Sequence, residues 1–460
     1  MDLIDAIRAA GVVGSGGAGF PTHVKLDVAA SCLIINAAEC EPLLETDKYL
    51  CRTFPDRIVR TAVAVGHQLR AVRVVIALKA SYRAEIAALR AAIDAQRAAI
   101  DAQRAQVELF QLDSFYPAGD EQTLVRLVIG RSVPERGLPL AVGCVVDNVG
   151  TILSIADALE ERPVTEKYLS VTGAVQTPCI LHVPIGTSLR ECIRAAIPAS
   201  DRYGVVLGGP MMGKPLLDTA AIDAAVVTKT TGNLLVLPKD HPLLIKSQLS
   251  MQAIRLQAKS ACIQCRMCTD LCPRYLLGHQ IRPHLVMRNL WREALISEED
   301  EFLTAFGDAA NCCDCGVCEM FACPMNLSPR KANQYMKQEL ARRGLQPLRR
   351  PEPSARACAA DRQVPTGRLI ARLGLSPYRR ALLPLCRKLT PDEVFIPLRQ
   401  HIGKPAVPIR SVGERLACGD LLAQAAPNAL SANIHASMDG VVTEIRPDGI
   451  RLRRKEACTE

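Results

Sequence analysis

Residues 11–22, GVVGSGGAGFPT, place Gly14, Gly16 and Gly19 in the spacing G-x-G-x-x-G. In a dinucleotide-binding βαβ unit that spacing follows a strand and opens a helix. Here the preceding MDLIDAIRAA sets Leu3, Ile4 and Ile7 on one helical face. Behind the loop, Pro21 disfavours helical geometry at Phe20. The order is helix, glycine loop, proline turn, which argues against a Rossmann turn. Gly14, Gly16, Gly17 and Gly19 still let the backbone approach a flat or phosphorylated ligand closely, so the loop reads as a ligand cradle.

Working outward, the 460 residues suffice for several domains, and 49% hydrophobic residues can bury a sizeable core. Aromatics at 4%, with one tryptophan, argue against a base-stacking nucleic-acid platform. No apolar run is long enough to span a bilayer. Asp2 and Asp5 stand where a signal peptide would be basic, so a cytosolic protein is expected. Nineteen cysteines in such a compartment point to metal or cluster ligation rather than disulfides. The net charge of +9 would fall to about +5 with two thiolate-bound [4Fe–4S] clusters.

CIQCRMCTDLCP carries Cys262, Cys265, Cys268 and Cys272 before Pro273, the C-x2-C-x2-C-x3-C-P run of bacterial ferredoxins. CCDCGVCEMFACP supplies Cys312, Cys315, Cys318 and Cys323 before Pro324, with one extra residue ahead of the last cysteine. In two-cluster ferredoxins the fourth cysteine of each run serves the other cluster. The expected sets are therefore Cys262, Cys265, Cys268 and Cys323, and Cys312, Cys315, Cys318 and Cys272. Cys313 is a spare thiol able to replace Cys312. Paired zinc sites are the alternative, but two proline-terminated runs favour iron–sulfur. The intervening segment has helical apolar spacing, giving a helix-rich insert. Within it His279 and His284 read as surface or capping residues and Trp291 as core. The other cysteines, among them Cys358, Cys386, Cys418 and Cys458, read mostly as small buried hydrophobes, with Cys40 held apart because it stands between Glu39 and Glu41.

In the N-terminal half CLIINAAECEP and VRVVIALKA read as strands, and residues 84–106 as an alanine-rich, solvent-exposed helix built on the tandem heptad AAIDAQRAAIDAQR. Strands alternating with helices give an α/β domain whose strand-end loops bind ligands. Four of its loops, GSGGAGFPTHVK, NAAECEP, YPAGDEQTLV and VVDNVGT, resemble those of the flavin-binding, NADH-oxidising subunit of respiratory complex I. They resemble still more its relatives, the C subunit of the Rnf electron-transport complex and the cobalamin reductases of propanediol-utilisation microcompartments. The resemblance implies that Gly14, Gly16, Gly17, Gly19 and Lys25 surround FMN. It implies that Asn36, Glu39, Tyr116, Gly119, Asp120, Asn148 and Thr151 hydrogen-bond it, and that Phe20 and Glu41 lie near NADH. Ser15 and Ala38 replace family arginine and aspartate, and Asp120-Glu121 replaces paired glutamates, departures that bear more on the nicotinamide than on the flavin.

VTEKYLSVTGAVQTPCILHVPIGTSLRECI resembles the soluble-ligand-binding β-grasp (SLBB) domain of the family, and RQHIGKPAVPIRSVGERLACGDLLAQ with IHASMDGVVTEI resembles its barrel-sandwich hybrid domain. At the hairpin Met438-Asp439-Gly440 stands where a carrier would have lysine, so no attached cofactor is expected there. The expected multidomain α/β organisation is a flavin-binding α/β domain (1–160), a β-grasp domain (161–240), a helical two-[4Fe–4S] ferredoxin module (241–345), a partly flexible basic linker (346–395) and a barrel-sandwich hybrid domain (396–460).

A hydride carries two electrons and a [4Fe–4S] cluster accepts one, and a flavin handles both. The resemblance therefore implies an NADH-dependent cobalamin reductase, with FMN and two clusters between NADH and cobalamin and no side chain acting as acid, base or nucleophile. It implies no nucleic acid and no membrane span. Cobalamin adenosyltransferase and microcompartment shell proteins are the implied partners, and a cytoplasmic microcompartment the implied location. Two other readings stay open: an electron-transfer subunit of a membrane ion pump, and a ferredoxin-like carrier without NADH oxidation.

Overall fold

The computed structural model describes residues 2–102, 106–380 and 386–454. Cys458 and the end of the tandem heptad at 103–105 lie outside the described residues.

The flavin domain is built on β1 (Cys32–Asn36), β2 (Arg73–Lys79), β3 (Gln106–Leu112), β4 (Phe115–Tyr116) and β5 (Cys144–Asn148). Four of these make a parallel sheet in the order β3-β2-β1-β5. Leu33, Ile34 and Ile35 of β1 are fully buried, because helices cover both faces of a parallel sheet and its central strand must be apolar throughout. The chain leaves β1 for β2 on one side, and β5 joins on the other. The strand order therefore reverses between β1 and β5, and Asn36 pairs in register with Asn148 there. Open α/β sheets bind ligands at such a crevice. No regular strand precedes the glycine loop. The helix Leu3–Ala9 buries Ile4 and Ile7, and a single bridge, Val13 to Pro21, closes the loop.

The alanine-rich segment departs from expectation. It forms helices Arg83–Ala95 and Arg97–Ala102, broken at Gln96, and β3 begins at Gln106. Ile86, Leu89, Ile93 and Ile100 are buried, so one face packs into the flavin-domain core.

The β-grasp sheet contains β6 (Glu166–Gly173), β7 (Cys179–Pro184), β8 (Tyr203–Leu207), β9 (Lys214–Leu216) and β10 (Asn233–Pro238) around the helix Leu189–Ala195. In the cluster module the helices Met251–Ala261, Pro283–Asn289, Glu299–Phe306 and Pro329–Arg342 enclose Phe302, Phe306 and Met336. Trp291 is 48% exposed rather than core, with the Lys259 ammonium 5.6 Å over its ring. His279 is buried, its Nε2 at 3.0 Å from the Val133 carbonyl, and so is neither surface nor cap. His284 bonds Thr269 through Nδ1 at 2.7 Å.

The described residues of the stretch expected to be a partly flexible linker include regular elements. Its strand β11 (Val364–Pro365) pairs with β4, and β12 (Cys386–Lys388) adds an edge strand to the β-grasp sheet beside β7. Between them Leu369, Ile370, Leu373 and Leu375 are buried with Tyr116, Met211 and Cys315. This strap carries enough apolar side chains among its arginines to pin three modules to one core.

The last domain has a four-stranded sheet of β13 (Glu393–Pro397), β15 (Arg415–Leu416), β18 (Gly440–Ile445) and β19 (Gly449–Arg453). It faces a three-stranded sheet of β14 (Val407–Pro408), β16 (Leu421–Gln424) and β17 (Ile434–His435). Met438 of the hairpin is buried in its core. The domain caps the glycine loop: Ile402 N donates to Gly19 O at 3.0 Å. Beside that contact Lys229, buried, donates from Nζ to Gly11 O at 2.6 Å and to Asn433 O at 2.7 Å, joining three domains.

The docked strap predicts an asymmetry. Leu369→Ala removes a fully buried side chain and lowers stability by about 2–5 kcal/mol, whereas Leu348→Ala, at a 96% exposed residue, changes it by less than about 0.5 kcal/mol. Denaturant midpoints of the two variants measure the difference.

Candidate flavin and iron–sulfur site

The glycine loop lies across the β1–β5 crevice. Gly14 N donates to Phe20 O at 2.9 Å, and Ser15 N donates to Thr151 Oγ1 at 2.9 Å, which holds the loop against the helix after β5. Gly17 has φ +101°, a region costly for side-chain-bearing residues, and a Cβ there would meet nothing within 4 Å. A Cβ on Gly16 would come within 3.5 Å of Asn148 Cβ. Gly16 and Gly17 are exposed. The loop thus presents bare backbone on an open side.

Below it Lys25 places its ammonium 3.2 Å from Asp147 Oδ1 and 3.8 Å from Glu121 Oε1, and also bonds the Val146 carbonyl. Burial alone would lower the Lys25 pKa, but the Asp147 and Glu121 carboxylates raise it. Asp147 Oδ2 and Thr22 Oγ1 are buried without partners among the described residues. Exposed glycine backbone, a charged lysine and unmatched polar atoms fit a phosphorylated, hydroxyl-bearing ligand such as FMN.

Asn36 donates from Nδ2 to Gly119 O at 2.8 Å and accepts from Ala38 N at 3.1 Å, which ties the β1 end to the Gly119 turn. Asn148 caps the next helix through Gly150 N at 2.8 Å and donates to Asp47 Oδ2 at 2.7 Å. Cys40 abuts Gly119, and burial pushes its thiol up to about 12.

Four expected cofactor residues also engage protein groups. The Glu39 carboxylate accepts from Asp47 N at 3.1 Å and Lys48 N at 3.3 Å, at the start of the helix Thr46–Thr53. Burial, then the Asp47 charge, pushes Glu39 up to about 8. Glu41 accepts from Met211 N and Met212 N, both at 2.9 Å, which anchors the β-grasp loop. A Cβ on Gly209 would strike its carboxylate, so the loop needs that glycine. The buried Tyr116 hydroxyl donates to Cys315 O at 2.7 Å. Asp120 caps the helix Glu121–Ile129 through Thr123 N at 3.0 Å and forms a two-point pair with Arg274, at 2.5 and 2.9 Å. Tyr116 and Asp120 thus join the flavin domain to the two cysteine loops. Sequence reasoning missed Arg274, although it directly follows Cys272-Pro273.

The cysteine loops wrap two separate spaces. Cys262, Cys265, Cys268 and Cys323 line one small cavity, which Cys272 does not line. Cys272 falls within the field of Cys312, Cys315 and Cys318. Left-handed residues at Gln264, Arg266, Asp314 and Gly316 turn the loops around these spaces. Backbone N–H groups already face sulfur, from Leu327 to Cys323 at 3.3 Å and from Asp314 to Cys312 at 3.4 Å. Cys313 faces Arg274, Cys315 and Tyr116. All-sulfur donors with N–H···S contacts fit cubane clusters. Of the remaining cysteines, Cys358, Cys386 and Cys418 are exposed, contrary to expectation.

Comparison with known proteins gives three matching family models: the Nuo51 FMN-binding domain over residues 7–157, a 4Fe-4S dicluster domain over 261–328 and the RnfC barrel sandwich hybrid domain over 381–459. Cobalamin reductase PduS of Salmonella typhimurium is 42% identical over 98% of this chain and 96% of its own length. The protein of the same name from Citrobacter freundii is 41% identical with the same coverage. The C subunit of the Na(+)-translocating ferredoxin:NAD(+) oxidoreductase complex of Acetobacterium woodii is 31% identical over 62% of each chain.

Asp120→Asn leaves the Arg274 charge nearly buried and unpaired, and lowers stability by about 3–5 kcal/mol in denaturant titrations. Burial pushes Glu41 from the ordinary 4.5 up to about 7. A raised carboxyl contributes fully below its unfolded pKa and loses that contribution as pH rises through its folded one. The Glu41 contribution to stability therefore falls between about pH 4.5 and 7, and Glu41→Gln removes that part of the slope of the midpoint-against-pH curve.

Proposed function

This chain belongs to the family of the PduS cobalamin reductases, and on that premise we propose that it reduces cobalamin with electrons from NADH, through FMN and two [4Fe–4S] clusters. Bound FMN supplies the exchange between hydride and single-electron chemistry, and bound clusters carry electrons singly. The overall reaction balances as NADH plus two cob(III)alamin giving NAD+, one proton and two cob(II)alamin.

The observation that carries this reading is the direct lock between the flavin domain and the second cysteine loop, Tyr116 to Cys315 and Asp120 to Arg274. It joins the crevice to the cluster loop directly. Gly14, Gly16, Gly17, Gly19, Lys25, Asn36, Gly119, Asn148 and Thr151 are read as the FMN-holding set. Glu39, Tyr116 and Asp120 are read with them as hydrogen-bonding the FMN, and Phe20 and Glu41 as lying near NADH. Cys262, Cys265, Cys268 and Cys323 hold one cluster in this reading, and Cys272, Cys312, Cys315 and Cys318 the other. No side chain needs to act as acid, base or nucleophile. The proposal extends to residence in a propanediol-utilisation microcompartment, beside shell proteins and a cobalamin adenosyltransferase. Among the described residues no helix is long and apolar enough to cross a membrane.

Anaerobically reconstituted protein should hold about eight irons with matching sulfide per chain. With hydroxocobalamin it should oxidise NADH at half the molar rate of cobalamin reduction, read from the visible spectrum. Reduction of artificial dyes with no change in the cobalamin spectrum would overturn the acceptor.

A further inference from the structure

The two cysteine sets stand in unequal charge. Lys246, on the short helix Pro242–Ser247 that follows the β-grasp domain, is half-buried and reaches the loop behind Cys323. Its ammonium donates to Asn326 Oδ1 at 2.7 Å, Asn326 O at 3.0 Å, Leu327 O at 3.1 Å and Glu319 O at 3.3 Å. Leu327 is the residue whose N–H faces Cys323 Sγ. Arg372, in the strap, donates to Cys323 O at 3.1 Å. All of these acceptors are amide oxygens, and among the described residues neither cation bonds a carboxylate. The Glu319 carboxylate accepts from Lys331 N at 3.2 Å, and burial raises its pKa while Lys246, Arg330 and Lys331 lower it.

Around the second set each cation has an anion beside it. Arg274 pairs with Asp120. Lys337 donates to Cys312 O at 2.9 Å, while the Asp314 carboxylate lies 3.4 Å from Cys312 Sγ. Arg330 comes near Gly316 and also lies in the field of Glu41. A positive charge beside a cluster stabilises the electron it takes up, and a negative charge opposes it. Water likewise favours the more highly charged, reduced form. The first set is also the open one, since Cys265 is exposed with Ile263 and Met325 of the same small cavity. The second set is bonded to the flavin domain through Tyr116, and the two sets approach each other at Cys268 and Cys318.

We propose that Lys246, with Arg372 behind it, holds the cluster of the first set at a higher reduction potential than that of the second, so that electrons drain from the flavin side toward the exposed face at Cys265. Both are positioning residues, which act through the Cys323 loop and touch no reacting atom. One electron leaves the second set and enters the first, and no atom moves. The assignment rests on the two-cluster reading above and adds the direction of flow. A redox titration of the reconstituted full-length chain, followed by electron paramagnetic resonance, reads both midpoints without NADH or cobalamin. Cys265→Ala removes a ligand of the first set and so marks which midpoint belongs to it. Lys246→Met and Arg372→Gln each remove one charge, and Lys246→Arg keeps it. Each variant is accepted on wild-type iron content, and the two charges sit on different elements, so misfolding of one variant leaves the other decisive.

In the wild type the higher midpoint is expected to be the one that Cys265→Ala abolishes. Lys246→Met makes reduction of that cluster about tenfold less favourable, about 59 mV for a one-electron couple, and Lys246→Arg restores most of it. Arg372 is exposed, so Arg372→Gln gives a smaller fall that fades as salt is raised. Wild-type midpoints in both charge-removing variants overturn the assignment, as does a higher midpoint that survives Cys265→Ala. A fall that Lys246→Arg does not reverse, with no shift in Arg372→Gln, marks a merely structural loop contact and overturns it too. The expected shifts in a chain that reduces no cobalamin support the assignment and overturn the reductase reading. Cobalamin reduction by a chain whose midpoints do not move does the reverse.

Discussion

The two-point pair between Asp120 and Arg274 fixes how the halves of this molecule meet. Both side chains are mostly shielded from water, where unpaired charges are costly, so neither can leave without the other. Each is held from behind as well. Asp120 caps a helix, where a carboxylate is favoured by the backbone N–H groups and the helix dipole. Arg274 sits in a turn begun by Cys272 and Pro273. Burial would raise the Asp120 carboxyl, but the Arg274 guanidinium and the Thr123 donors hold it below the usual 3.8. The pair therefore keeps its charge across the physiological range, and the cysteine loop keeps its position against the crevice.

The parts that could be read from the sequence are those whose meaning is local. The glycine spacing, the apolar run of β1 and the two cysteine runs each occupy a short stretch of chain, and the structure uses them as turns, a central strand and ligand-ready loops. Tyr116 and Asp120 were harder, because their partners lie 199 and 154 residues away. Family likeness gives them to a cofactor, and their polar atoms also bond the cluster module. In residues 346–395 the composition hides the packing of the described residues. Arginine and proline dominate the segment, and Val364, Leu369, Ile370, Leu373 and Leu375 show neither a long helical nor an alternating pattern, yet each is buried. Trp291 failed in the opposite sense, since its size suggested core and its place beside Lys259 keeps it at the surface.

Three buried or half-buried lysines show how the same side chain is put to different uses. Lys25 lies against carboxylates and its pKa rises. Lys79 lies in a cavity wall and burial lowers it. Lys229 touches only backbone carbonyls, and burial brings it down to about 7. At that position a long neutral or weakly charged donor satisfies carbonyls from two other domains, and His401 and His435 nearby are likewise held low by burial.

The strap has a consequence for the order of synthesis. Tyr116 emerges from the ribosome well before Val364, its pairing partner in β11, so the edge of β4 stays uncovered while more than half of the remaining chain is made. Contacts so distant in sequence form late, after the local ones around each glycine and cysteine loop. The second cysteine run is translated before the strap can fasten over Cys315. The strap thus covers Cys315 only once Leu369 and Leu373 have been made, whereas Cys265 stays exposed in the finished fold.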